Sequence, residues 1–278
     1  MQEECNSVKD LRNFKMIGGF VAALLLLGAN PASGAGQDIG TLSHVHSVRA
    51  FGDQVILGTH EGLFRYVDEK SVLLMGKEIF DVMGLAVFGK QLYASGHPGS
   101  GSKLPQPVGL LSSTDGGKSW KKMGLQGEVD FHLLETAGAD MYGVDSSSGD
   151  LLYSSNAGKK WTSRGKNLVS DIAVNPGKVG SALALRDGKL ISTQNSFTKM
   201  RAVDSALTFS SLDWLSDSLL ATSGKSLYRS GDLGLTWKKM SDFPEATSTV
   251  TQSSKIIAVV AGNSIYKSTD GGKTFKKM

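Results

Sequence analysis

Cysteine is almost absent from this sequence, since Cys5 is the single one in 278 residues. It precedes a segment that we predict to be removed, so we expect a mature chain with no disulfide and no cysteine-based metal site. Proline is also scarce, with six residues, which excludes a proline-rich linker or a collagen-like chain. A hydrophobic share of 40% is sufficient for a buried core, and the composition is that of a folded globular protein.

A strong charge of one sign is missing too. The 30 Lys and Arg against 26 Asp and Glu give a net charge of +4, and the lysines are spread along the chain. Nucleic-acid-binding proteins concentrate basic residues on one face, so we expect no nucleic-acid partner. The sequence also has no Gly-x-Ser-x-Gly elbow of a serine hydrolase and no phosphate-binding Walker loop.

The sequence has one long apolar run, residues 16–29, with three cations before it. This run is shorter than the roughly 20 residues that a membrane-spanning helix needs. Ser33 and Ala35 supply small residues at the positions that signal peptidases recognise. We therefore predict a signal peptide over residues 1–35 and an exported chain, periplasmic or extracellular. An uncleaved N-terminal membrane anchor is the alternative.

The remaining chain repeats with a period of about forty residues. Equivalent positions in six segments are separated by 47, 41, 38, 38 and 38 residues, and they are Asp68, Asp115, Asn156, Gln194, Asp232 and Asp270. Each unit has room for four short apolar strands, which we label A to D from the inside outward. Such a period predicts an all-β chain that forms a six-bladed β-propeller over residues 36–278. The predicted blades begin near residues 43, 79, 128, 168, 207 and 246, and a seventh blade has too little sequence left.

Four of the repeats carry a turn of the form Ser-x-Asp-x-Gly-x-x-Trp, which we place between strands C and D. Its members are Ser113, Asp115, Gly117 and Trp120; Ser154, Asn156, Gly158 and Trp161; Ser230, Asp232, Gly234 and Trp237; and Ser268, Asp270, Gly272 and Phe275. The Asp or Asn oxygen can accept backbone N–H groups, the glycine can adopt positive φ, and the aromatic ring can pack between blades. This turn resembles the Asp-box, or BNR repeat, of sialidases, sortilin-type receptors and photosystem II assembly factors. The resemblance implies a propeller and says little about function.

All five histidines lie in the first half of the chain, at the starts of A strands or the ends of B strands. They are His44, His46, His60, His97 and His132. Since A and B run antiparallel, these positions meet on one face of the ring, opposite the C–D turns. Asp81 and Asp130 map to the same face, as do Glu61, Asp145 and Asp171. Imidazoles with carboxylates predict a metal- or ligand-binding site, and the metals that suit them are Cu, Zn, Ni and Fe.

A narrower resemblance links the chain to exported bacterial Asp-box proteins that are labelled glycosylhydrolases. Five segments carry it: residues 44–46, 59–65, 81–84, 94–98 and 130–132. It implies an exported propeller in which the histidine face belongs to the pattern of the group. The label itself comes from the repeat and does not indicate hydrolysis.

Three functions stay open at this point. We expect a binding module whose partner is a metal ion, a glycan or an exported protein, and which is a monomer. A glycoside hydrolase that uses Asp81 and Asp130 is the enzymatic alternative, and a protein-interaction scaffold is the third. A sialidase is excluded because it needs three arginines around a carboxylate, whereas only Arg186 maps to the histidine face.

Overall fold

The computed structural model describes residues 36–166 and 169–278. The predicted signal peptide, residues 1–35, lies outside these ranges. Within them, no helix has the length and apolar character needed to span a membrane. The helical structure of the described residues consists of one 3₁₀ turn, Ile39–Thr41.

The described residues form six antiparallel sheets, and each sheet is built from one continuous stretch of sequence. The first three sheets contain β1 Gln37–Asp38, β2 Val45–Phe51, β3 Gln54–Thr59, β4 Gly62–Asp68 and β5 Ser71–Leu74; β6 Phe80–Phe88, β7 Gln91–Pro98, β8 Leu110–Ser113 and β9 Lys121–Gly124; and β10 Phe131–Ala137, β11 Asp140–Asp145, β12 Asp150–Ser154 and β13 Thr162–Lys166. The other three contain β14 Asp171–Val174, β15 Ala182–Arg186, β16 Lys189–Thr193 and β17 Arg201–Ala202; β18 Ser211–Leu215, β19 Ser218–Ser223, β20 Ser226–Ser230 and β21 Lys238–Asp242; and β22 Thr247–Gln252, β23 Ile257–Ala261, β24 Ser264–Ser268 and β25 Lys276–Lys277.

The six sheets are the blades of a propeller, and the prediction of an all-β six-bladed ring is confirmed. Counted from the centre of the ring outward, the first strands of the blades are β2, β6, β10, β14, β18 and β22, and they adjoin one another in that order. Five of the six predicted borders lie just before an innermost strand, and the one near 168 falls in the gap between the described ranges. Blade 1 departs from the four-strand pattern because β1 adds a fifth strand outside β5.

Each seam between blades is filled by apolar side chains from both. In the seam between blades 2 and 3, Leu110 packs with Phe131, and Trp161 lies against the same cluster. The four aromatic residues of the predicted turns each pack on a phenylalanine that lies at the start of their blade's innermost strand or up to four residues before it, in the pairs Trp120–Phe80, Trp161–Phe131, Trp237–Phe209 and Phe275–Phe243. These turn aromatics therefore help to bury the seam, as expected from the sequence.

The four predicted turns share one hydrogen-bond pattern. In blade 2, the Ser113 hydroxyl donates to Asp115 at 2.7 Å, and it accepts from the Gly117 N–H at 2.9 Å. Equivalent bonds occur in blades 3, 5 and 6. Gly117 has φ of +83°, and a Cβ there would lie 2.5 Å from Leu63 of the preceding blade. Glycine is therefore required for both its conformation and its contact.

Blade 4 contains a fifth copy of this turn, shifted by one residue from the predicted position. Thr193 donates to Asn195 at 3.1 Å and accepts from the Phe197 N–H, while the Lys199 N–H donates to Asn195. The residue equivalent to Asp115 is thus Asn195, and the assignment of Gln194 was wrong. In blade 1, Asp68 accepts from Lys70 and Ser71 in a short hairpin.

The ring closes directly between blades 6 and 1. The Ala50 N–H of β2 donates to the Thr251 hydroxyl of β22 at 2.9 Å, and the Ser253 hydroxyl donates to the Gly52 carbonyl. One apolar cluster joins Val48 in blade 1 to Val260 in blade 6. Blade 6 supplies its own outer strand, β25, so each blade keeps the strands of its own repeat.

Candidate metal centre

The five histidines and two carboxylates all lie where innermost strands begin or second strands end. In blades 1 and 3, His46 and His132 occupy β-bulges near the starts of β2 and β10. Met83 occupies the corresponding bulge of β6 in blade 2. A bulge breaks the strict alternation of side chains and redirects the extra residue. Blade 6 has the same irregularity at Ser248, so it occurs in four neighbouring blades, and in two of them the extra residue is a histidine.

A first group of donors comes from blade 1 and consists of His44, His46 and His60. One ring nitrogen of each lies within 4.8 Å of those of the other two. His44 Nδ1 is 3.1 Å from His60 Nε2, and the ring of His46 stands edge-on to the His60 ring at 4.5 Å between centroids. Three imidazoles from one blade are thus already convergent.

Asp81 connects this group to blade 2. Its Oδ2 lies 2.7 Å from His60 Nδ1 and 3.4 Å from His97 Nδ1. If His60 donates its Nδ1 proton to Asp81, its Nε2 lone pair points away from the carboxylate. A carboxylate that fixes the tautomer of a histidine in this way is the usual support of a metal ligand.

A second group comes from blades 2 and 3 and consists of His97, Asp130 and His132. Asp130 Oδ2 is 2.9 Å from His97 Nε2 and 2.8 Å from His132 Nε2, and it accepts the Ser146 hydroxyl at 2.6 Å. His97 therefore contacts both carboxylates, Asp81 through Nδ1 and Asp130 through Nε2. The two groups form one continuous network across three blades.

Several atoms of this network are buried without a hydrogen-bond partner: His46 Nε2, Asp81 Oδ1 and Asp130 Oδ1. Two of these atoms, His46 Nε2 and Asp81 Oδ1, face each other at 3.3 Å as an ion pair. A buried polar atom with no partner costs free energy, roughly 1–3 kcal/mol for each group. Asp130 Oδ1 is thus the buried atom of this cluster that has neither a hydrogen bond nor an ion-pair partner among the described residues, and it leaves an acceptor open to a ligand.

Both carboxylates are held in their ionised form. Burial acts to raise the pKa of Asp130, but hydrogen bonds from His132 and Ser146 and the adjacent imidazoles outweigh it and lower the pKa to about 2. Burial likewise opposes ionisation of Asp81, and contacts with His46 and His60 lower its pKa overall. Two negative charges among five imidazoles favour a bound cation.

Of the other three acids predicted on the histidine face, two lie there and one does not. Glu61 accepts the N–H and hydroxyl of Ser43, next to His44. Asp145 accepts the Asp130 N–H at 3.0 Å, so it supports the backbone of that residue. Asp171 was expected on the histidine face, which is wrong, because its carboxylate accepts the Leu212 N–H of β18 at 2.7 Å and faces Arg49.

Sequence reasoning missed one contributor to this site. Ser146 donates its hydroxyl to Asp130 at 2.6 Å. It carries no motif of its own. The signal for Ser146 would have been its place one residue after β11, where the second strand of blade 3 ends beside the start of the first.

The C–D turns lie at the other end of the ring, as predicted. In blade 3, the Ala157 N–H of such a turn donates to the carbonyl of Ala139, which lies in the turn between β10 and β11. The histidines are at the opposite ends of these strands, where Phe131 pairs with Asp145. The histidine face and the turn face are thus distinct surfaces.

No protein-family model matches the sequence, and no curated protein matches it in a sequence search. Solved structures of similar fold are found. The structure described as "YCF48 bound to D1 peptide" has a TM-score of 0.51 and 16% identity, and covers 90% of this chain and 85% of that one. A chain of a nidogen/laminin complex has a TM-score of 0.55 and 13% identity, with coverages of 83% and 92%.

A third similar structure is the GH74 enzyme of Niastella koreensis, with a TM-score of 0.52 and 15% identity. The match covers 84% of this chain and 37% of the enzyme chain. At these identities the three structures establish the β-propeller fold and nothing more specific.

Proposed function

We propose that this chain is an exported β-propeller of the Asp-box type whose histidine face binds a transition metal. The observation that carries the proposal is the convergence of five imidazoles and two ionised carboxylates, among them a buried Asp130 oxygen that accepts no hydrogen bond. Export rests on the N-terminal sequence alone. The Asp-box assignment rests on the repeated Ser–Asp hydrogen bonds of the turns.

The donor set suits borderline metals. Imidazole favours Zn, Cu, Ni and Fe, and carboxylate oxygens complete such sites. Two ligand atoms on one tetrahedral zinc ion are about 3.3 Å apart, as follows from bond lengths of about 2.0–2.1 Å. Asp130 Oδ2 already lies 2.9 and 2.8 Å from its two histidine nitrogens. Small side-chain movements would therefore convert hydrogen-bonded pairs into ligand pairs.

Two ions can be accommodated in principle, because the donors fall into two groups. The imidazoles of His44, His46 and His60 would hold one, and His97, Asp130 and His132 the other. Asp81 lies between the groups and contacts three of the histidines. A single shared ion is the simpler arrangement, and metal stoichiometry separates the two.

The test is calorimetric titration of Zn²⁺ and Cu²⁺ into the chelator-treated mature chain. One variant removes the first group by His44→Ala with His60→Ala, and another removes the second by His97→Ala with His132→Ala. Asp217→Asn is the matched control, since Asp217 is an exposed acid at the opposite end of the ring. Circular dichroism verifies that each variant is folded.

Two ions per wild-type chain, one lost in each double variant, would support separate centres. One ion, lost in both variants, would support a shared centre. Binding that is absent in the wild type, or unchanged when all four histidines are replaced, would overturn the proposal. The control is expected to bind metal like the wild type.

A protein-interaction scaffold is the second candidate, and the similar structures favour it. One of them is described with a bound peptide and another as part of a complex. Glycoside hydrolysis by Asp81 and Asp130 is less favoured, because a general acid needs a raised pKa and both values are lowered.

A further inference from the structure

The central channel contains a cavity of about 560 Å³ near the end opposite the histidines. All six blades contribute to its wall, including the turns between first and second strands at Gly52, Gly89 and Ser253. Its volume is in the range of small-molecule sites. The cavity is therefore a separate place in the fold, independent of the metal centre.

Charged groups meet at the inner part of this cavity. Arg49 of β2 donates to Glu135 of β10 through Nη2 and to the Leu85 carbonyl through Nε at 2.7 Å. The side chains of Arg49 and Glu135 are about four-fifths buried, with 21% and 22% exposed. Asp213 of β18 also lines the cavity, and its Oδ2 accepts the Gln252 N–H at 2.7 Å.

The carboxylates outnumber the guanidinium. Asp171, next to the cavity wall, adds a third carboxylate to Glu135 and Asp213, so three acids face Arg49. Burial raises the pKa of Glu135 to about 8, against the attraction of Arg49 and with repulsion from Asp171 and Asp213. Burial raises the pKa of Asp213 to about 6. At pH 7 Glu135 therefore holds a proton, whereas Asp213 is ionised and its charge is stabilised by an added cation.

The outer wall is aromatic. Phe88 and Trp214 line the cavity, and the Phe88 side chain is 49% exposed. Aromatic faces attract organic cations and pack against their alkyl groups. Lys90 and Lys255, both exposed, lie at the turns of the rim, where solvent screens their charges from the inner carboxylates. A ligand with one cationic group and an apolar stem fits this distribution.

We propose that the channel cavity binds an organic cation, an alkylammonium or guanidinium group, with its charge against Asp213 and its stem beside Trp214 and Phe88. The cation comes either from a free amine or from a Lys or Arg side chain of a peptide. A hydrated metal ion is less suited, because Asp213 Oδ2 is already engaged and the wall is apolar on the other side.

The experiment is calorimetry at pH 7 with the mature chain and three probes: n-butylammonium, agmatine, and a peptide with a central Lys or Arg. n-Butanol is the neutral counterpart of the first probe. Asp213→Asn removes one cavity charge and keeps the side-chain shape. Asp217→Asn, four residues along the chain and exposed, removes the same charge outside the cavity.

We expect one bound cation per chain, an affinity at least about tenfold lower in Asp213→Asn, and no change in Asp217→Asn. Trp214→Leu, which leaves the charges in place, is expected to weaken binding as well. Binding of the amines without the peptide assigns a free amine as the source, and tighter binding of the peptide assigns a protein side chain.

Three results would overturn the proposal: no binding of any cationic probe, equal binding of n-butanol, or full affinity in both Asp213→Asn and Trp214→Leu. A variant that lacks four of the histidines tests independence from the metal centre. It is expected to keep wild-type affinity for n-butylammonium, so failure of the metal proposal leaves this one standing.

Discussion

Replacing Glu135 by Gln should change how the stability of the protein depends on pH. Glu135 has a pKa raised from 4.5 to about 8, chiefly because burial disfavours its charge. Below pH 4.5 the folded and unfolded states both hold the proton, and Glu135 then does not lower the free energy of unfolding. As pH rises toward 8, the folded state keeps a proton that the unfolded state has lost, so stability falls. Arg49, Asp171 and Asp213 face Glu135 in both proteins.

The magnitude follows from linkage. When the folded state binds one proton more than the unfolded state, the free energy of unfolding falls by about 1.36 kcal/mol per pH unit. Between pH 5 and pH 7 this gives about 2.7 kcal/mol as an upper value. Glu135 is 22% exposed and paired with Arg49, so we expect about 1–2 kcal/mol. Urea unfolding of the chelator-treated wild type and Glu135→Gln at pH 5, 6 and 7 measures this difference. Parallel pH profiles for the two proteins would refute the reasoning.

Two further predictions concern the histidine face. Gly96→Ala should lower the free energy of unfolding by about 3 kcal/mol or more, because Gly96 has φ of +145° and a Cβ would lie 2.0 Å from the Asp81 carbonyl. Gly149→Ala is the control, since Gly149 has φ of +72° but open space around it, and it should lower stability by about 1 kcal/mol in the same urea assay. Equal losses would contradict the contact argument. Ser146→Ala should weaken metal affinity by about tenfold without changing the number of ions bound, since the Ser146 hydroxyl positions Asp130. Restored affinity in Ser146→Thr would support this role of the hydroxyl. Unchanged affinity in Ser146→Ala would oppose it.

The fold was predictable because its repeats are visible in the sequence. A Ser-x-Asp turn recurs about every forty residues, and this period fixes the number of blades. The error at Gln194 has a physical origin. Blade 4 uses Thr193 and Asn195 with Phe197 at φ of +60° in place of glycine, so the composition of the turn differs while its hydrogen bonds persist. The fifth strand of blade 1, β1, had no periodic signal.

The histidine face was predictable from topology, because antiparallel strands fix which ends meet. The pairings within it were not. His97 bridges Asp81 and Asp130 through its two ring nitrogens, and side-chain rotamers set such contacts. The channel cluster was missed for a related reason. Arg49 and Glu135 lie 86 positions apart in the chain, and only the closure of the ring brings them into contact.

The central claim is that the histidine face binds a transition metal, and elemental analysis tests it most directly. A chain of residues 36–278, purified without chelators and dialysed against Zn, Cu, Ni and Fe salts, would be compared with a variant carrying His46→Ala and His132→Ala. The account predicts near-stoichiometric metal in the wild type and a large loss in the variant. A wild type that retains no metal, or a variant that retains as much, would contradict it.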